Sequence, residues 1–221
     1  MTLAESYAGK DTGYFGNARR DILPLIPAPV DRVLELGCGD GTTLAMLKAE
    51  GRCRSTVGIE LFPNAAQLAR RVVDEVIEGD IETLPTLPLA DGSADLILCL
   101  DVLEHLRDPW DVLRRLVPLL RPGGAVIASI PNVRHLKVIL PLALRGRWDY
   151  HPLGGILDRT HLRFFTRSTA IELFEHAGLH VTQVAPTGGL VRGTRPWMFD
   201  RLTFGAFREF LTKQYLLRGT R

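Results

Sequence analysis

The stretch Arg32–Leu44, RVLELGCGDGTTL, sets Gly37, Gly39 and Gly41 within five residues and places Glu35 and Asp40 around them. Glycine at a strand-to-helix turn permits positive φ and lets a ligand come close to the main chain. Phosphate-binding loops share this property, but a pyrophosphate favours an unobstructed, positive helix N-terminus. Two carboxylates at the loop suit a cationic ligand better. A dinucleotide fingerprint needs glycine at its first, third and sixth positions, and the sixth residue counted from Gly37 is Thr42. No Gly-Lys-Ser/Thr follows, which excludes a P-loop. Glu60, with Leu61 after it, ends a second apolar run 19 residues beyond Gly41. A carboxylate there can accept from both hydroxyls of a ribose. Asp80, in EGDIE, is a second acid at a strand end. It is placed either to meet an adenine amino group or to cap the turn that follows.

Proton-transfer candidates lie further along. GGILDRTHLRFFT holds Asp158 and His161 beside two aromatic residues. A carboxylate next to an imidazole can orient it and raise its basicity, which makes His161 the first choice of base and His105, in CLDVLEHL, the second. The plainer alternative is that Asp158 and His161 bond loop backbone. His176 lies near a helix end, His180 starts a strand and His135 lies in a basic loop, so all three read as structural.

These residues need a scaffold that brings strand ends together. Apolar runs of strand length (RVLELG, STVGIEL, DEVIEGD, ADLILCL, AVIASIPN) alternate with amphipathic stretches of helix length. Strands apolar on both faces and joined by helices imply a parallel sheet covered on both sides, a doubly wound α/β fold. Its ligand belongs beyond the carboxyl ends of the strands. The pattern breaks over residues 133–165, where prolines and glycines leave only KVILPLALRG helical. An irregular insertion after a strand's carboxyl end is where a substrate docks. TRSTAIELFEHAGL resumes as a capped helix and HVTQVAP as a strand. PWMFDRLTFGAFREFL reads as one amphipathic helix packed on its own sheet or forming a dimer face, with KQYLLRG as a last strand.

VLELGCGDG, GIEL, GDIE, ADLILCLDVLEHL and LLRPGGAVIASIPN, in that order, resemble the successive motifs of class I S-adenosylmethionine-dependent methyltransferases. The match runs from Arg32 to Asn132. It implies a seven-stranded, Rossmann-like sheet of order 3-2-1-4-5-7-6 with the last strand antiparallel. It further implies that Gly37, Cys38, Gly39 and Gly41 hold the methionine end of the cofactor, that Glu60 takes the ribose, and that Asp80 and Ile81 lie near the adenine. Leu100 and Asp101 would run alongside. TGYFGNARRDILPLIP resembles the family's N-terminal covering helix, in which Tyr14 and Arg19 would cover the cofactor and Arg19 would pair with its carboxylate. The 133–165 segment is similar to methyltransferases of glycan and natural-product pathways. Asp101, Glu104 and His105 resemble the acidic-acidic-His set of ubiquinone-biosynthesis O-methyltransferases, in which magnesium assists. Asp101 replaces a longer Glu there, and no metal is assigned on this basis.

Composition sets the remaining bounds. A chain of 221 residues is read as one methyltransferase domain, 1–221, with substrate-covering elements at 1–25 and 133–165. Net charge of +2 gives little support for nucleic-acid binding. No apolar run approaches the ~18 residues of a membrane span. No leader pattern is read, and Cys38, Cys53 and Cys99 look like small buried hydrophobes, so a cytoplasmic protein is expected, as monomer or homodimer. Between Arg134 and Arg167 seven basic residues face only Asp149 and Asp158, which would draw in an acidic or phosphorylated acceptor. The expected activity is methyl transfer from S-adenosylmethionine to a small polar metabolite, at oxygen rather than nitrogen. The alternatives are a non-catalytic S-adenosylmethionine-binding accessory protein and an NAD(P)-dependent reductase.

Overall fold

In the computed structural model, which describes residues 18–26, 28–84, 86–152, 154–188 and 193–221, seven strands form one sheet of order β3-β2-β1-β4-β5-β7-β6. β1 (Val30–Leu36), β2 (Cys53–Glu60), β3 (Glu75–Glu78), β4 (Ala94–Leu100) and β5 (Leu120–Pro131) pair in parallel. β7 (Gln214–Thr220) runs antiparallel to both β5 and β6 (His180–Thr187). The helices between them are α1 (Thr42–Ala49), α2 (Pro63–Ala69), α3 (Pro109–Leu116), α4 (Leu136–Arg145), α5 (Arg167–His176), α6 (Arg195–Leu202) and α7 (Arg208–Leu211).

The apolar runs become central strands because successive side chains point to opposite faces, and here both faces are covered. Every residue of β4 is buried. Ile97 and Cys99 of β4 join an apolar cluster with Leu113 and Leu116 of α3 and Leu173 and Phe174 of α5. Leu96 and Leu98 join the cluster on the other side, with Leu44 and Leu47 of α1 and Ile22 and Leu25 of the 3-10 turn Arg20–Leu25. Cys38, Cys53 and Cys99 are buried free thiols, as expected.

One close approach fixes how the glycine loop seats on the sheet. A Cβ added at Gly58 of β2 would lie 2.4 Å from the Cys38 sulfur. Gly58→Ala should therefore force the loop off β2. The expected loss is about 1–3 kcal/mol of stability, checked by urea unfolding; an unchanged midpoint would contradict this packing.

The tail differs from expectation. The single helix expected over PWMFDRLTFGAFREFL is two, α6 and α7, split at Phe204, a non-glycine residue with φ of +50°. Its apolar side chains do not cover the sheet: Phe204 is 98% and Leu202 75% exposed. Its recorded ties to the body run through Asn132, whose amide donates to the Glu209 and Thr212 carbonyls, and through Arg134, which pairs with Glu209 and lies over Phe210.

Candidate active site

The carboxyl ends of β1, β2 and β4, with loops after β3 and β5, surround a cleft of about 1360 Å³. That exceeds the ~300–1,000 Å³ of an ordinary small-molecule pocket, so two ligands can lie side by side. Of the residues expected at the cofactor, Arg19, Glu35, Gly37, Cys38, Gly39, Glu60, Leu61, Asp80, Ile81, Leu100 and Asp101 line it. Gly41 lies behind, at the helix N-cap with φ of +82°. Tyr14 falls outside the described residues.

The loop is built as its sequence requires. Gly37 and Gly39 have φ of +67° and +57°, where a side chain would be strained. Glu60 ties the loop to β2: its Oε2 accepts from the Gly39 N–H at 2.8 Å and its Oε1 from the Phe62 N–H at 2.9 Å. Each oxygen keeps a second lone pair for a ligand hydroxyl. Burial raises the Glu60 carboxyl above the usual range, against the pull of these N–H groups. Asp40 stands just before α1, accepting from the Thr42 N–H at 3.0 Å and its hydroxyl at 2.6 Å. An acid therefore occupies the place where a pyrophosphate would sit.

Glu35 stands at the end of β1, beside the glycine loop. It is 4% exposed, and its Oε2 is buried with no hydrogen-bond partner among the described residues. Burial pushes its carboxyl up to about 8; the Arg19 charge opposes this, while Glu60 and Asp40 add to it. An orphaned carboxyl beside a bare glycine turn is what a sulfonium or an ammonium group would satisfy.

Arg19 and Asp101 meet across the cleft. Arg19 pairs with Asp101 and Asp21, and its Nη1 donates to the Ser129 hydroxyl at 3.1 Å. Asp101, in the left-handed region at φ of +54°, also accepts from the Gln214 amide, and its N–H donates to Ser129 Oγ at 2.9 Å. Aspartate tolerates that backbone better than most residues. Asp80 accepts from the Glu82 N–H at 2.9 Å, with Arg107 4.0 Å away. Sequence reasoning missed Ser129 and Gln214. Ser129 is a fully buried polar residue in the middle of AVIASIPN, a visible signal; Gln214 is 113 residues from Asp101 and gave none.

The opposite wall carries the histidines. Backbone N–H groups of Leu162 and Arg163 donate to the Glu104 carbonyl at 2.8 and 3.0 Å, stitching the end of the insertion to the 3-10 turn Leu103–His105. His105 and His161 then meet edge to face, ring centroids 4.7 Å apart. Nδ1 of His105 bonds the Thr160 carbonyl at 3.1 Å, and Nδ1 of His161 the Ile156 carbonyl at 3.0 Å. The carbonyl that holds the His161 ring is thus that of Ile156, while Asp158 accepts from the Thr160 N–H and hydroxyl, both at 2.8 Å, and shapes the turn. Glu104 is 1% exposed, and among the described residues neither carboxyl oxygen has a hydrogen bond; burial, then the Asp101 charge, drives its carboxyl well above the usual range. Ligand atoms of Glu104, His105 and His161 lie within 4.8 Å of one another. Asp101, the first member of the acidic-acidic-His set suggested by resemblance, is not in this group; its carboxylate pairs with Arg19 and Gln214.

A family model described as a methyltransferase domain matches residues 11–184. The chain belongs to the methyltransferase family. The methyltransferase is 28% identical over 180 residues to a ubiquinone biosynthesis O-methyltransferase of Cupriavidus pinatubonensis, covering 74% of this chain and 69% of that one. It is 34% identical over 116 residues to an uncharacterised 37.1 kDa protein of a Streptomyces fradiae transposon, covering 51% of this chain. It spans only about a third of the length of that relative. Its fold matches an S-adenosylmethionine-dependent methyltransferase of Archaeoglobus fulgidus at a TM-score of 0.67 and 17% identity, over 91% of both chains. S-adenosylmethionine is its cofactor, and the reductase alternative is set aside. No described helix is long and apolar enough to cross a membrane.

Proposed function

We propose that this methyltransferase moves a methyl group from S-adenosylmethionine to a hydroxyl of a small, negatively charged metabolite, such as a sugar derivative, glycan precursor or natural product. The observation that carries the reading is the cleft's two-sided construction. The glycine loop, Glu35 and Glu60 form one wall, and Glu104, His105 and His161 the other. On this reading Gly37–Gly41 and Glu35 hold the methionine end, Glu60 the ribose, and Asp80 with Ile81 the adenine. Leu100 and Asp101 flank the cofactor, and Arg19 exchanges Asp101 for the methionine carboxylate.

A sulfonium supplies an already activated methyl group, so the chain has to align the acceptor, exclude water and take one proton. Alignment alone is worth roughly 7–11 kcal/mol of barrier. The proton leaves the hydroxyl toward the Glu104–His105–His161 cluster, with Asp158 holding the turn that carries His161. The O-methyltransferase name of the 28% identical relative supports oxygen as the accepting atom. Residues 154–156 and 158–162 line the acceptor wall and Arg19 and Asp21 the cofactor side, which supports reading 133–165, together with 1–25, as covers of a single domain.

Charge gives the acceptor class. Arg159 and Lys213 line the rim, both are exposed, and neither forms an ion pair among the described residues. The test is a screen for methyl transfer to hydroxy acids and sugar phosphates against neutral and amine analogues. Anionic hydroxyl compounds should be preferred. Arg159→Ala should raise the acceptor KM by about 10–100-fold, the worth of one charge-assisted bond, with kcat little changed. Equal use of neutral acceptors, or amines methylated faster, would overturn the assignment.

A further inference from the structure

We infer that the rings of Trp148, Tyr150 and Phe164, with Arg159 beside them, form a subsite for the nucleoside diphosphate part of a nucleotide-linked sugar. The rings take the base and Arg159 the phosphates. The inference rests on the reading of the Glu104–His161 wall as the acceptor side of the cleft, and it names what lies beyond the methylated hydroxyl.

The first argument is an aromatic cluster that the core does not use. Phe164 meets Trp148 edge to face at 5.1 Å between ring centroids, and Tyr150 at 6.3 Å. Neither of the two apolar clusters that cover the sheet includes any of the three. Tyr150 is 51% exposed, and Trp148 and Phe164 are only partly buried. Adjoining rings left open to solvent are the kind of surface that marks a ligand site.

Position is the second argument. Phe164 also meets His161, with centroids 6.4 Å apart, and His161 lines the cleft. The platform is therefore continuous with the acceptor wall.

Third, the chain holds the platform and a cation in a fixed relation. The His151 N–H donates to the Leu157 carbonyl at 2.8 Å, and the Arg159 N–H donates to the His151 carbonyl at 3.0 Å. Gly154 and Gly155, at φ of +114° and +99°, let the chain return on itself between them. One closed loop thus has Tyr150 at one foot and Arg159 at the other. A site built in advance loses little freedom when its ligand arrives.

Chemistry selects the ligand. Aromatic side chains stack on any base, because every base has a π-face, and a guanidinium makes paired hydrogen bonds to phosphate. Lys213 adds a second cation at the rim, and the exposed Arg145 and Arg163 extend the positive field. An apolar chain would use the rings and leave the cations unanswered. A simple sugar phosphate would use the cations and leave the rings bare. A nucleoside diphosphate uses both, with its sugar turned to the histidine wall.

The test is calorimetric titration of UDP, GDP and inorganic pyrophosphate into the full chain saturated with S-adenosylhomocysteine, which keeps nucleotides out of the cofactor site. UDP and GDP should bind alike, each at least about tenfold more tightly than pyrophosphate. Tyr150→Ala should weaken both nucleotides by about 5–100-fold and leave pyrophosphate unchanged. Tyr150→Phe, which keeps the ring, should match the native protein. Affinity for S-adenosylhomocysteine reports whether each variant is folded. Nucleotides held no more tightly than pyrophosphate, or indifferent to Tyr150→Ala, would overturn this inference alone. A single-stranded oligouridine bound more tightly than UDP would make the face a polynucleotide site and overturn it as well. Failure of all three anions to bind a chain that still holds S-adenosylhomocysteine would sink the anionic acceptor along with it.

Discussion

Glu60→Ala is expected to weaken S-adenosylmethionine binding by about two to four orders of magnitude. Two effects combine. A carboxylate accepting from both ribose hydroxyls makes two charge-assisted hydrogen bonds, each worth ~1.5–3 kcal/mol when made to a charged group. The same carboxylate orders the loop, since Oε2 receives the Gly39 N–H and Oε1 the Phe62 N–H. Glu60→Gln separates the two contributions, because an amide keeps one acceptor oxygen and loses the charge. It should sit between the native protein and the alanine variant, at roughly ten- to hundred-fold weaker. Isothermal titration measures both. A Glu60→Ala protein that is folded, with an unaltered dissociation constant, would show that the ribose is held elsewhere.

How much of this was legible beforehand follows from the range of the forces involved. The strand runs and the glycine turn are local, since apolar periodicity and the need for positive φ are written in consecutive residues. β1 to β5 and the loop at Gly37–Gly41 could therefore be read directly. Glu60 could be placed because strand length fixes where β2 ends. The tail failed for the same reason in reverse. PWMFDRLTFGAFREFL has helical periodicity throughout, yet Thr203–Phe207 turns out of the helix, with Phe204 at positive φ and the Gly205 N–H bonded back to the Asp200 carbonyl. The histidine wall was half legible. Asp158 is near His161 in sequence, which invited a pair, whereas the recorded bond at His161 Nδ1 is to the Ile156 carbonyl and a further neighbour, Glu104, is 57 residues away. Contacts between an insertion and a distant strand end have no sequence signature.

Glu35→Gln should make the protein more stable and a poorer methyltransferase at once. The folded carboxyl sits at about 8 and its ordinary value is 4.5, so the native state holds its proton where the unfolded chain has lost it. The sign follows: stability from this group is complete below about pH 4.5 and falls as pH rises through about 8. The cofactor-free native protein should lose several kcal/mol over that window, on the order of 4, and the glutamine variant should not. At pH 8.5 the variant's Tm should stand higher by something like 10 °C, at ~2–4 °C per kcal/mol for a chain of this size. At pH 4 the two should nearly coincide. Affinity runs the other way. A cationic ligand needs the ionised carboxyl, so native affinity should rise up to tenfold per pH unit below 8 and level off above it. The variant should bind about 10–100-fold more weakly at pH 8 with a flat profile. Paired melting and titration series across that range decide it, and a Glu35→Gln protein that neither gains stability at high pH nor loses affinity would remove Glu35 from the cofactor site. The opposition has a physical source. A buried carboxyl with one unbonded oxygen destabilises the protein by itself, and on the proposed function the ligand supplies the bond it lacks.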